Sequence, residues 1–441
     1  MSTSTVTDES VKTPAGTRWG LTCWSMIAAF GAYFCAYGFR KPFTADPHAG
    51  EFFFGIDFKT ILIVSQVMGY TVSKFIGIKV VSEITPRHRV RALLVLIGIA
   101  QIALLLFAVV PAPWNGLCLF LNGLPLGMTF GMVLGFLEGR VQSEALTAGL
   151  CCSFIISGGF MKSVGAWLLG AQVSQAWMPS VAGFIFIVPM VIFTWMLSKI
   201  PPPTRSDEEA RCERVPMDAR ARSAFFMRYA TGLSLLALVY LLTTILRSLR
   251  DDFAPEIWAG LGVMKEPEKY ALSETVVGLI VTIAMGAIVF MRNNRTAFFA
   301  GLLLSAAGFL ISAAVLTGLS FGLVSPFMFM VLSGLGIYFP YIAVHTCVFE
   351  RLIAMTRDKG NIGYLLYLVD AFGYLGYVVV LLAKGVLKKN VDVFELFKTS
   401  NWLIAAVSLV MLGIVWRYFA NRCAAPSGVN PSEPCDAAVT A

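Results

Sequence analysis

FRKPF, residues 39–43, and ILRSLRDDF, residues 245–253, each end a long apolar run with charges that such a setting normally excludes. Tyr33, Tyr37 and Arg40 fall at i, i+4 and i+7, which is one face of a helix. Lys74 lies in GYTVSKFIG, Lys162 in SGGFMKSVG and Asp370 in YLLYLVDAFGYLGY, all inside otherwise apolar runs. A charge at the centre of a spanning helix costs about 2.5–3.5 kcal/mol on insertion scales, so each of these needs a partner or a wet cavity. Basic groups outnumber acids in this set. Two guanidinium groups, Arg40 with either Arg247 or Arg250, would form permanently charged planar forks that hold phosphate or carboxylate through paired hydrogen bonds. Tyrosine hydroxyls would donate to the remaining oxygens. The chemistry is anion binding. No nucleophile–base pair accompanies it, so the chain reads as a non-enzyme.

These residues must be positioned by membrane helices. Of 441 residues, 57% are hydrophobic and 14% charged, against the roughly 25% charged of a soluble domain. Apolar runs of spanning length centre on 19–39, 60–82, 91–111, 114–138, 147–170 and 179–198, then 225–249, 273–291, 297–319, 325–349, 361–386 and 400–420. The fold class is therefore an all-α integral membrane protein of about twelve helices in two six-helix halves. The halves run over 19–198 and 225–420. A cytoplasmic linker, 199–224, separates them, and disordered cytoplasmic tails, 1–18 and 421–441, flank them.

Lys and Arg concentrate in the even-numbered gaps, as with Arg87, Arg89 and Arg91 in the second, while the third, fifth and ninth gaps carry none. Both termini should face the cytoplasm of a cell membrane, with Lys384, Lys388 and Lys389 of the eleventh gap as the contrary signal. The net charge of +8 sits in these gaps, which argues against nucleic acid. The nine cysteines show no metal-ligand spacing. Neither a metal nor a cofactor is expected. The expected partners are a small anionic solute and the lipid bilayer, with the chain acting as a monomer.

The halves echo each other. Gly123-Leu124 and Gly334-Leu335 each open a span that ends in an acid and an arginine, Glu138 with Arg140 and Glu350 with Arg351. Glycine to arginine is 17 positions in both. Arg40-x-x-Phe43 likewise matches Arg250-x-x-Phe253. Two such halves would place a substrate at their interface.

The first span resembles that of the organophosphate:phosphate antiporters of the major facilitator superfamily, the glycerol-3-phosphate transporter group. Tyr33, Tyr37, Arg40, Lys41 and Phe43 stand at the places of a Tyr-x-x-x-Tyr-x-x-Arg-Lys-x-Phe segment. Ser73-Lys74-Phe75-Ile76, with Pro86-Arg87 beyond, match the second span and its loop; Leu246-Arg247, Asp252 and Pro255 match the seventh. The resemblance implies a major facilitator fold and makes Arg247, rather than Arg250, the second phosphate arginine. It suggests a bacterial branch of the superfamily that departs from the group. The fifth-helix histidine is absent, the histidines being His48, His88 and His345; Thr244 replaces a tyrosine, and Ser82-Glu83 replace the Asp-Arg of the gating loop.

The expected function is transport of a small anion, an organic phosphate or phosphate, by alternating access. Arg40 and Arg247 would repel each other until an anion bridges them, with Asp251 or Asp252 holding the arginines between ligands. Plainer roles stand beside these. Arg247 would pair with Asp251 along the helix, Arg250 would snorkel, and Lys162 would pair with Asp370 across the halves. Glu138 with Arg140, and Glu350 with Arg351, would be cytoplasmic gate charges. Two rival functions remain: a proton-coupled symporter using Asp370 or Glu138, and a transporter-like sensor that binds ligand without flux.

Overall fold

The computed structural model describes residues 15–84, 86–137, 143–202, 226–264, 266–291, 293–356, 362–387 and 392–422. The first half comprises α1 (Ala15–Gly38), a short 3-10 turn (Pro42–Ala45), a small hairpin of β1 (Phe52–Phe53) and β2 (Ile56–Asp57), then α2 (Phe58–Glu83), α3 (Pro86–Val109), α4 (Asn115–Leu134), α5 (Ser143–Gly170) and α6 (Met178–Ser198). The second comprises α7 (Ala230–Asp252), the short α8 (Ala254–Gly260), α9 (Glu268–Val289), α10 (Asn294–Ser320) and α11 (Pro326–Ala343). A π-helical turn (Val344–Val348) continues α11 into α12 (Phe349–Thr356), followed by α13 (Ile362–Leu387) and α14 (Val393–Arg422).

Among the described residues, eleven segments are long and apolar enough to cross a membrane. The 26-residue α13 stands where the eleventh of the twelve expected spans should be. Several helices begin earlier than their apolar runs: α1 at Ala15 rather than Trp19, and α14 at Val393 rather than residue 400. Polar residues continue a helix past the hydrocarbon, because the backbone hydrogen bonds do not depend on side-chain polarity. Residues 203–225, most of the expected linker, lie outside the described residues, as do Glu138, Arg140, Lys388 and Lys389.

Many apolar side chains face outward around a buried apolar core. Val188, Ile192, Ile283, Leu403 and Val410 are exposed, whereas Arg40, Lys41, Lys74, Lys162, Arg247, Asp251 and Asp370 are buried. Apolar surface outside and charges inside are what hydrocarbon imposes on a multi-pass protein, and this gathers the polar chemistry between the halves. Across that interface α2 packs on α13 and α5 packs on α9. In the six-and-six repeat the second span corresponds to the eighth and the fifth to the eleventh. The two contacts are therefore copies of one another about a pseudo-twofold axis.

Small residues permit the close approaches. A Cβ added to Gly123 of α4 would lie 2.2 Å from the Gln66 carbonyl oxygen of α2. At Gly159 of α5 it would lie 2.3 Å from the Tyr270 carbonyl oxygen of α9, in the other half. Backbone cannot yield there as a side-chain tip would. Gly159→Ala is expected to destabilise the protein by about 1–3 kcal/mol, whereas Gly286→Ala, also on α9 with nothing within 4 Å of the new methyl, should be near neutral. Thermal denaturation in detergent compares the two. Equal midpoints would show that the α5–α9 contact is looser than drawn.

Candidate functional site

Pro42 lacks the N–H needed to extend α1, so the helix unwinds over Phe39 to Lys41 and re-forms as the 3-10 turn. Arg40 sits on that unwinding turn. A buried amide pair fixes the backbone around it. Gln66 Nε2 donates to the Arg40 carbonyl at 3.1 Å and to Asn122 Oδ1 at 2.8 Å, and Asn122 Nδ2 donates to the carbonyls of Phe39 and Ala100, each at 3.1 Å. Three helices of the first half, α2, α3 and α4, thus fix the backbone that carries the Arg40 guanidinium.

That guanidinium rests on aromatic faces. Arg40 Cζ is 4.1 Å from the Tyr70 ring centroid, 5.6 Å from Tyr37 and 5.9 Å from Tyr374. Arg247 of α7 approaches from the other half, with Cζ 4.8 Å from the Tyr341 centroid and 5.9 Å from Tyr374, and Nη2 donates to the Tyr374 hydroxyl at 3.1 Å. Tyr374 stands between the two arginines and meets both. Tyr33 packs edge-on against Tyr37 and Phe130. Tyr33, Tyr37, Tyr70, Lys74, Phe130, Arg247, Tyr341, His345, Asp370 and Tyr374 line a cavity of about 20 Å³ between the halves, and Arg40 stands against the rings of its tyrosines Tyr37, Tyr70 and Tyr374. That is room for roughly one water molecule. A larger solute enters only if the walls part.

The charges around this cavity sort into two kinds. Lys41 Nζ lies 2.5 Å from both Asp251 Oδ2 and Asp252 Oδ1, and Lys162 Nζ lies 2.5 Å from Asp251 Oδ1. Lys59 meets Glu256 at 2.5 Å and Lys74 meets Asp370 at 2.9 Å. Every one of these lysines belongs to the first half and every one of the acids to the second. Arg250 pairs with Glu274 at 2.6 Å and donates to the Met330 carbonyl at 2.7 Å, wholly within the second half. Arg40 and Arg247 are different. Among the described residues neither meets a carboxylate; the Nε of each is buried without a hydrogen-bond partner, as is that of Arg250. Aromatic contact worth about 2 kcal/mol when desolvated offsets only part of the cost of such burial. An anion would supply the rest.

Several sequence expectations are corrected by this pattern. Asp251 does not pair with Arg247, and neither Asp251 nor Asp252 holds an arginine; both acids are drawn to lysines from the facing half. Lys162 does not meet Asp370, since the fifth and eleventh spans are symmetry equivalents on opposite sides of the interface; each charge takes the partner its own side offers. Arg250 neither snorkels nor reaches the cavity. Arg351 of α12 donates to Asn294 at 2.7 Å, away from the cavity, and Glu350 is its chain neighbour.

Other site residues escaped notice in the sequence. Tyr70, Tyr341 and Tyr374 look like packing aromatics in apolar runs, and Gln66 and Asn122 like isolated polar residues. Lys41 stands in the quoted motif but reveals its carboxylate partners only in three dimensions. His345 offered one signal, Pro340 five residues before it. The missing N–H of that proline accompanies the π-helical turn on which His345 sits.

The architecture is that of the major facilitator transporters. The chain superposes on a D-xylose-proton symporter with TM-score 0.60 and 12% identity, over 91% of this chain and 98% of that one. Similar agreement holds for the xylose transporter XylE from E. coli in a partially occluded inward-open conformation, with TM-score 0.56, 11% identity, and coverage of 90% and 98%. A structure described under substrate recognition in proton-dependent oligopeptide transporters gives TM-score 0.59 and 12% identity, over 91% of this chain and 100% of that one. At such identities the likeness is one of fold. Residues 42–422 match the profile of a family of unknown function (DUF5690), and the chain belongs to that family. No curated protein matches it.

Proposed function

We propose that the protein is a multi-pass membrane transporter that moves a small anion, phosphate or an organic phosphate, by alternating access. One observation carries this reading: two buried arginines, one from each half, share a tyrosine cage and lack carboxylate partners, while the neighbouring lysines and Arg250 have them. The surplus of two positive charges suits a dianion. Lysine–carboxylate pairs close the interface at the end where α1 finishes. With both termini in the cytoplasm of a cell membrane, that is the outer end, and the protein stands closed to the outside. An anion bound by Arg40 and Arg247 would pull the halves together about itself, and release toward the other face would follow when the lysine pairs exchange for their equivalents there.

The test is ligand-induced thermal stabilisation of the purified protein, using inorganic phosphate, glycerol 3-phosphate and hexose phosphates. Ligand at 100 times its dissociation constant should stabilise the protein by about 2.7 kcal/mol. The shift should vanish in Arg40→Gln and in Arg247→Gln. A folded wild type that responds to none of these compounds would sink the phosphate reading.

A second reading, proton-coupled symport, draws on Asp370. This carboxylate faces the cavity, spans the halves through Lys74, and accepts from Tyr240 at 3.1 Å. It predicts uptake driven by a pH gradient without counter-substrate. Two of the structural neighbours are described as proton-coupled.

A further inference from the structure

His345 is the one histidine on the cavity wall. Its ring lies nearly parallel to Tyr341, at 6° and 6.0 Å between centroids, and to Tyr240, at 15° and 6.2 Å. Phe130 from the first half packs against it at 5.7 Å. The imidazole is therefore clamped, and its orientation belongs to the site.

Hydrogen-bond logic assigns its protons. The Tyr240 hydroxyl lies 3.1 Å from Asp370 Oδ1 and 3.2 Å from His345 Nδ1. Asp370, paired with Lys74, accepts only. The hydroxyl has one proton, and it goes to Asp370. His345 must therefore donate from Nδ1 into the tyrosine oxygen, which completes a directed chain from His345 through Tyr240 to Asp370. Nε2 makes no hydrogen bond among the described residues. In the uncharged ring, Nε2 is then a bare acceptor on the same cavity wall as Arg247, which can only donate.

This combination discriminates between anions of the same shape and charge. Sulfate is a tetrahedral dianion without a proton, so a bare Nε2 faces one of its oxygens with lone pair against lone pair. Phosphate near neutral pH keeps at least one P–O–H, which can donate to that nitrogen while its other oxygens accept from the arginines. We infer that His345 makes the site selective for an oxyanion that brings its own hydroxyl donor, accepting that hydroxyl at Nε2 and so preferring phosphate over sulfate. This rests on the anion-site reading above and narrows its substrate class.

The experiment is titration of the purified full chain with inorganic phosphate and with sulfate at one neutral pH. It uses wild type, His345→Phe, His345→Gln and Arg40→Gln, with affinity read from thermal stabilisation. Leaving a buried acceptor unmatched should weaken sulfate on the order of ten- to a hundredfold relative to phosphate. His345→Phe keeps the ring stacking and removes the acceptor. It should lower phosphate affinity, spare or raise sulfate affinity, and bring the two together. His345→Gln, whose amide oxygen still accepts, should keep part of the preference, and Arg40→Gln should weaken both anions alike. Equal affinities in wild type would overturn the inference and leave the anion site standing, as would a preference unchanged in His345→Phe. No response of the folded wild type to either anion would overturn the anion-site reading and this inference with it.

Discussion

Asp251→Asn is expected to destabilise the protein by about 3–5 kcal/mol, the usual cost of removing one partner from a buried ion pair. Asp251 receives two lysines from the facing half, Lys41 and Lys162, each at 2.5 Å. Once the carboxylate is neutral, Lys41 keeps Asp252, but Lys162 loses its charged partner and keeps only neutral acceptors, the Gly158 carbonyl at 2.9 Å and the amide oxygen of the new side chain. A buried ammonium with neutral acceptors alone is far from its hydration in water. Lys162→Met should cost less, because Asp251 retains Lys41. The double variant Asp251→Leu with Lys162→Met should recover much of the loss, since apolar replacement of a whole buried pair is often neutral. Denaturation midpoints of the four proteins in one detergent decide it. An Asp251→Asn midpoint within about 1 kcal/mol of wild type would mean that these pairs are wetter than their burial indicates.

The second large effect concerns geometry at constant charge. Arg40→Lys and Arg247→Lys preserve the positive charge of the site but replace a planar fork by a point charge. Each hydrogen bond to a charged group is worth about 1.5–3 kcal/mol. Losing one of a bidentate pair in either variant should slow phosphate exchange across liposome membranes on the order of tenfold to a hundredfold. The Arg250→Lys variant, away from the cavity, should show unaltered exchange once corrected for any loss of folded protein. If Arg40→Lys and Arg247→Lys exchange phosphate at the wild-type rate, the arginines act only through net charge.

The arginines were expected to hold the halves apart by repulsion. In the structure the halves meet, and the reason lies in particular contacts. Tyr374 takes a place between the two guanidiniums and accepts from one of them. The lysine–carboxylate pairs that Lys41, Lys59, Lys74 and Lys162 of the first half make with acids of the second add attraction on either side. Because their polarity is uniform, one half presents cations and the other acids. Such an arrangement draws the two halves together, while their register is set by close backbone approaches such as Gly159 on Tyr270.

The sequence alone determined that this is a membrane protein of about twelve helices in two halves, because hydrocarbon demands long apolar runs and those runs are countable. It also identified Tyr33, Tyr37 and Arg40 as one helical face, since periodicity is local. It marked Lys74, Lys162, Arg247, Arg250, Asp251, Asp252 and Asp370 as charges in need of partners, since their cost in an apolar run does not depend on the fold. Only the tertiary structure decided which partner each one has. Arg247 and Arg250 are three residues apart, and which of them faces the cavity depends on the rotation of α7 against its neighbours. Lys162 and Asp370 occupy near-equivalent places in the two halves, yet the pseudo-twofold axis sets them on opposite sides of the interface and gives them Asp251 and Lys74 instead. Tyr70, Tyr341, Tyr374 and His345 carry no charge that a spanning run would have to explain, so their place on the cavity wall became visible only once the helices were packed.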